Sequence, residues 1–159
     1  MGIAIVVAIA SGALWVTAIL LSGRYKPAGY LTDRSFPTAA ERICAKAVAD
    51  LKEFPPAYKS KSPAERATVS EGTTDRLQQM LDELRTKVPT GSQAKWIDRW
   101  IDDWELHIAD RRDFAERLRK GGAKEEFLET VKYGTQISKS LDHYADINKM
   151  PSCATPGDV

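Results

Sequence analysis

The chain has 159 residues, room for one domain with a sizeable core. Its 23 basic and 22 acidic residues nearly balance, and no basic block is interleaved with aromatics, which excludes a dedicated nucleic-acid binder. Its two cysteines and two histidines stand at no usual ligand spacing, so neither a metal nor another cofactor is expected.

Hydrophobicity is concentrated at the start. Residues 2–22 read GIAIVVAIASGALWVTAILLS without a charge. A helix of about 20 apolar residues, rising about 1.5 Å per residue, spans a bilayer core of about 30 Å. Arg24, Tyr25, Lys26 and Tyr30 follow where the interface would lie. The run is longer than the apolar region of a usual signal peptide, and the small residues near Ala18 and Gly23 make poor cleavage sites. Residues 1–23 therefore read as an uncleaved single-pass anchor, with membrane lipid as the first expected partner.

Orientation is in conflict. The basic residues close to the run lie downstream (Arg24, Lys26, Arg34), which by itself places the remainder in the cytoplasm. The cysteines argue for the other side. A basic segment upstream of Met1 would reconcile the two.

Residues 24–37 form a linker rich in turn formers. A helical bundle is expected over residues 38–149. Thr38 and Glu41 fit a capping box for a first helix whose face is Ile43, Cys44, Ala47, Val48, Leu51 and Phe54, ended by Pro55-Pro56. Ser62-Pro63-Ala64-Glu65 opens a second helix. Its period runs through Leu77, Met80, Leu81 and Leu84 to Val88; Gly72 weakens the middle, so Thr73 or Thr74 offers a restart.

The third helix, Ser92 to Lys120, is the centre of the chain. Ser92 is placed as its N-cap and Gly121-Gly122 as its stop. Trp96, Trp100 and Trp104 recur every fourth residue and share an arc with Ile97, Ile101 and Ile108. That arc reads as core, with an exposed docking strip or a homo-oligomer seam as the other readings.

Two polar residues, His107 and Arg111, fall inside the arc, flanked by Asp103 and Asp110. Asp103–His107 and His107–Arg111 are both i,i+4 neighbours. One reading is a hydrogen-bonded cluster tying this helix to another. The other is a ligand or catalytic site, because a histidine beside a carboxylate can move protons near neutral pH. No Ser or Cys nucleophile pairs with it in sequence, so no residue receives a catalytic role.

Ala123 to Asn148 is expected to be the last helix, with Phe127, Val131, Gly134, Ile137, Leu141 and Tyr144 on one face. Gly134 is read as permitting the close approach of a neighbour such as a tryptophan, and His143 as solvated. Residues 150–159 cannot be helical with two prolines and a glycine. An even cysteine count behind an export-like segment suggests a Cys44–Cys153 disulfide that tethers this irregular tail.

An N-terminal apolar segment, Ile43-Cys44 in a first helix, the spaced set Asp103, Trp104, His107, Asp110, Arg111, Phe114, Ala115 and Leu118, and a closing stretch from Asn148 through Met150-Pro-Ser-Cys153 to Val159 resemble small membrane-anchored helical proteins of actinobacteria. The resemblance covers most of the chain. It implies an extracytoplasmic helical domain on a Gram-positive-type envelope, and no chemistry.

The expected fold is all-α, a single N-terminal transmembrane helix followed by an antiparallel bundle of about four helices. The expected function is a non-enzymatic, membrane-tethered extracytoplasmic interaction or accessory domain with an envelope protein as partner. The alternative is a small-ligand or catalytic pocket near His107, Asp103 and Arg111.

Overall fold

A computed structural model describes residues 26–122 and 124–158, together with Trp15. The anchor expected over residues 1–23 otherwise lies outside the described residues. Among those described, no helix is long and apolar enough to cross a membrane.

The described chain is mainly helical, so the all-α expectation holds. Helix α1 spans Ser35–Leu51. It begins three residues before Thr38, with the Asp33 carboxylate accepting the Ser35 N–H at 2.8 Å. Pro37 is accommodated because the first turn needs no N–H there. The expected Thr38–Glu41 capping box does not form. Glu41 instead accepts the N–H and hydroxyl of Ser152, at 3.0 and 2.6 Å, and so holds the tail.

Helix α2 spans Pro63–Arg85. Here the local signals win. The Ser62 hydroxyl accepts the Glu65 N–H at 3.1 Å, and the Glu65 carboxylate accepts the Lys61 N–H at 2.7 Å. The helix runs unbroken through Gly72. A Cβ on that residue would stand 2.6 Å from the Phe54 ring, so the glycine serves packing rather than a restart.

Helix α3 spans Ala94–Gly121. Ser92 is exposed, and no side chain caps the helix start. Gly122, with φ +90°, ends it as expected.

The last element departs most from expectation. Residues 124–136 are not helical. They extend from α3 into a two-stranded antiparallel hairpin, β1 (Val131–Lys132) and β2 (Thr135–Gln136). Only Ile137–Ile147 is helical, as α4. The turn Tyr133-Gly134 has φ +57° and +78°, the two positive values of a type I′ hairpin. Gly134 therefore supplies turn geometry, and a Cβ there would meet nothing within 4 Å. Val131, expected in the core, is 67% exposed.

Helices α2 and α3 run antiparallel, since Arg85 meets Glu105 at one end and Arg119 meets Glu71 at the other. Arg76 reaches back to Asp50, and Arg112 reaches back to Gln78. The core divides in two. The larger part joins Phe36 and Cys44 on α1, Leu77, Leu81 and Leu84 on α2, Trp100, Trp104 and Ile108 on α3, and Leu141 on α4. The smaller part is Ala67, Phe114, Ala115 and Leu118, closed by Phe127. A disulfide joins Cys44 to Cys153, Cα to Cα 5.1 Å, across 109 residues of sequence. No cysteine is free.

Candidate functional site

The tryptophans are core residues. Trp100 and Trp104 meet edge to face at 6.3 Å, and both are buried. Trp100 also stacks on Tyr144 at 5.3 Å and directs its indole N–H toward the Leu141 carbonyl at 3.4 Å. Trp104 Nε1 has no hydrogen-bond partner. Of the three on α3, only Trp96, half-buried, reaches the surface. Trp100 and Trp104 are thus spent on the core, which leaves Trp96 alone of the three to meet a partner.

His107 and Arg111 lie between the two parts of the core, but not as a working pair. Arg111 is fully buried. Its Nε donates to the Thr74 hydroxyl at 3.0 Å and its Nη2 to the Thr73 hydroxyl at 2.7 Å. The same guanidinium grips the Asp158 carboxylate at 2.7 and 2.8 Å. Burial works against the charge on Asp158, but the Arg111 hydrogen bond and charge outweigh it and hold the carboxyl below its usual range.

His107 is 2% exposed. Its Nδ1 stands 3.6 Å from Glu129, too far for a hydrogen bond, and neither ring nitrogen has a partner. Its ring instead meets Trp104 at 5.6 Å and Phe127 at 5.8 Å, edge to face in both cases. Burial, then the Arg111 charge, push its pKa down. His107 thus packs as an aromatic core residue whose surroundings favour the neutral ring.

The flanking carboxylates turn away from it. Asp110 accepts the Thr130 N–H at 2.7 Å and its hydroxyl at 2.8 Å. Asp103 accepts the Lys132 ammonium at 2.5 Å. Glu129 accepts the Ser138 hydroxyl at 2.9 Å. These contacts lash the hairpin to α3 and α4. Sequence reasoning found Asp103, His107, Asp110 and Arg111 but missed Thr73, Thr74, Glu129, Lys132 and Asp158. The adjacent threonines on the apolar face of α2 were the one visible signal, since a hydroxyl pair facing a core calls for a buried partner. Asp158 stood too far away in sequence to be assigned.

Neither His107 nor Arg111 lines any of five surface cavities found among the described residues. One cavity, about 210 Å³, reaches Asp103 but neither His107 nor Arg111. Trp96, Arg99, Trp100 and Asp103 of α3 form one wall, His143 and Tyr144 of α4 another, and Ala28-Gly29 and Tyr133 close its ends. The Arg99 guanidinium lies over the Tyr133 ring at 4.4 Å. No group of three potential metal ligands gathers among the described residues. Comparison with protein families, with curated proteins and with solved structures finds no match to this chain.

Proposed function

We propose that this chain is a non-enzymatic, membrane-tethered accessory or interaction domain, displayed outside the cytoplasm by the apolar segment 2–22, with an envelope protein as its partner. The observation that carries this reading is the Cys44–Cys153 disulfide. Such bonds persist in oxidising compartments and are rare in the cytosol. Supporting it, the one sequence constellation with catalytic character is spent on structure. Arg111 is committed to Thr73, Thr74 and Asp158, and His107 is sealed from solvent. The pocket reading near His107, Asp103 and Arg111 required a cavity reaching His107; Asp103 lines one of the five surface cavities described, and His107 and Arg111 line none of them.

The test is thiol labelling with a membrane-impermeant reagent, in intact cells and after lysis, with and without reductant. Cysteines that resist labelling until reduced, and then label in intact cells, place the domain outside. Free thiols that label only after lysis put it in the cytoplasm and overturn this reading.

A further inference from the structure

We infer that the face around the aromatic groove is the one turned toward the bilayer, and that it docks on anionic phospholipid headgroups. This rests on the anchor reading of residues 2–22, and two features of the described chain carry it further.

The first is reach. Five residues separate Ser22 from Ala28, and those six steps of chain span at most about 20 Å. Ala28 and Gly29 themselves line the groove. A domain tied so closely at this point keeps this face near the headgroup layer, which adds only about 5–7 Å to each side of the hydrocarbon core.

The second is chemistry. Cations lie over aromatic rings along this face. Lys26 and Arg34 flank Tyr30 at 5.1 and 5.9 Å. Lys95 covers Trp96 at 5.2 Å, and Arg99 and Lys132 both cover Tyr133, at 4.4 and 5.3 Å. An amphipathic ring beside a long basic side chain is the pairing that suits a membrane interface, where the ring meets acyl chains and the charge meets phosphate. Asp103 is already neutralised by Lys132. Asp98 and Asp102 are exposed one helical turn from Lys95 and Arg99 and offset part of this charge, so the attraction to anionic headgroups rests on Lys26, Lys95 and Arg99 beside their rings. Tyr133 is 66% exposed at the hairpin tip although its φ of +57° disfavours a bulky residue. The turn tolerates that conformation while presenting the ring outward.

The experiment uses the full chain carrying Trp15→Phe, so that half-buried Trp96 is the accessible reporter. The protein is mixed with phosphatidylcholine vesicles, with or without phosphatidylglycerol, that contain a headgroup-nitroxide lipid. Flotation reads the anchor, and quenching of Trp96 reads the docked face. We expect flotation with both vesicles and stronger quenching with phosphatidylglycerol, reversed by salt. A basic side chain near an anionic surface strengthens attachment roughly fivefold, so Lys95→Gln with Arg99→Gln lowers the docked-to-undocked ratio roughly thirtyfold. Both side chains are exposed, and an unchanged Tm confirms that the variant is folded. Flotation with equal quenching in both vesicles overturns the docking and leaves the anchor standing. Salt-sensitive binding to phosphatidylglycerol alone, without flotation on phosphatidylcholine, upholds the docking and removes the anchor. Binding to neither overturns both.

Discussion

Arg111 and Asp158 form a bidentate ion pair across 47 residues of sequence, at 2.7 and 2.8 Å, with the guanidinium wholly buried. One end of the pair is in the middle of the central helix and the other is at the end of the irregular tail. The tail is held at three further points, by Glu41 to Ser152, by Asp142 to Thr155 and by the disulfide. A segment with little apolar surface of its own is thereby made part of the domain.

Arg111→Ala removes the partner of Asp158 and leaves the Thr73 and Thr74 hydroxyls facing a void. Because the Asp158 side chain is 27% exposed and can be rehydrated, the loss is about 1–3 kcal/mol, less than for a fully buried pair. Urea unfolding should show that loss. Asp158→Ala should also destabilise, because it leaves a buried guanidinium with hydroxyl partners alone. An Arg111→Ala variant within about 0.5 kcal/mol of the parent would show that the pair is incidental.

Opening the disulfide releases a loop of 109 residues. The chain-entropy model gives such a bridge about 4–5 kcal/mol. For a domain of this size that corresponds to a Tm lower by on the order of 10 °C. Thermal melts with and without reductant measure it, and limited proteolysis should find the tail cut first in the reduced protein. Identical melts would mean that the polar ties hold the tail unaided.

His107 makes stability depend on pH. Its pKa in the folded state lies below the ordinary value of 6.5, through burial and then the Arg111 charge. The unfolded chain therefore takes up this proton more readily than the folded one. The contribution of neutral His107 is intact above the unfolded pKa and is lost as pH falls from about 6.5 toward the lowered folded value. One proton accounts for at most about 1.4 kcal/mol per pH unit. Urea midpoints at pH 8 and pH 5.5 should diverge in the parent and converge in His107→Phe, which keeps a ring between Trp104 and Phe127. Parallel losses in both proteins would exclude His107 as the source.

Two glycines separate packing from turn geometry. Gly72→Ala would gain about 1 kcal/mol of helix propensity, yet its methyl meets the Phe54 ring at 2.6 Å. Overpacking of this kind costs about 1–3 kcal/mol, so no net gain is expected. Adding Phe54→Leu should relieve the clash and restore the helix-propensity benefit. Gly134→Ala touches nothing, and its loss of about 1 kcal/mol comes from φ +78° alone. No substitution at position 54 should rescue it.

Tyr133→Asn tests whether the hairpin trades stability for its exposed ring. Asn-Gly is the favoured type I′ pair, so the variant should be stabler by roughly 0.5–1 kcal/mol. It should also lose the Arg99 stack and quench less on anionic vesicles. A destabilised variant would show that the cation–ring contacts outweigh the turn.

Where short-range rules act alone, the sequence was legible. Ser62, Pro63 and Glu65 opened α2 as read, Gly122 closed α3, and the alternation of tryptophans and isoleucines marked the core face of α3. The four polar residues of α3 were found as well, but their roles were not. Helical spacing places Asp103 beside His107, yet the distant Lys132 and Thr130 compete for the two aspartates.

By itself the sequence determined an all-α domain, its central helix and the pairing of its two cysteines. Those follow from periodicity, capping and count, which need no partner to be read. Tertiary structure alone decided that residues 124–136 form a hairpin rather than a helix, and that Arg111 belongs to Asp158. Phe127 keeps its place on the core from an extended chain as well as from a helix, so its hydrophobicity could not choose between them. Asp103, Asp110 and Glu129 hold the hairpin through side chains that meet only after α3 and α4 have packed, and that is why the choice lies beyond local propensity.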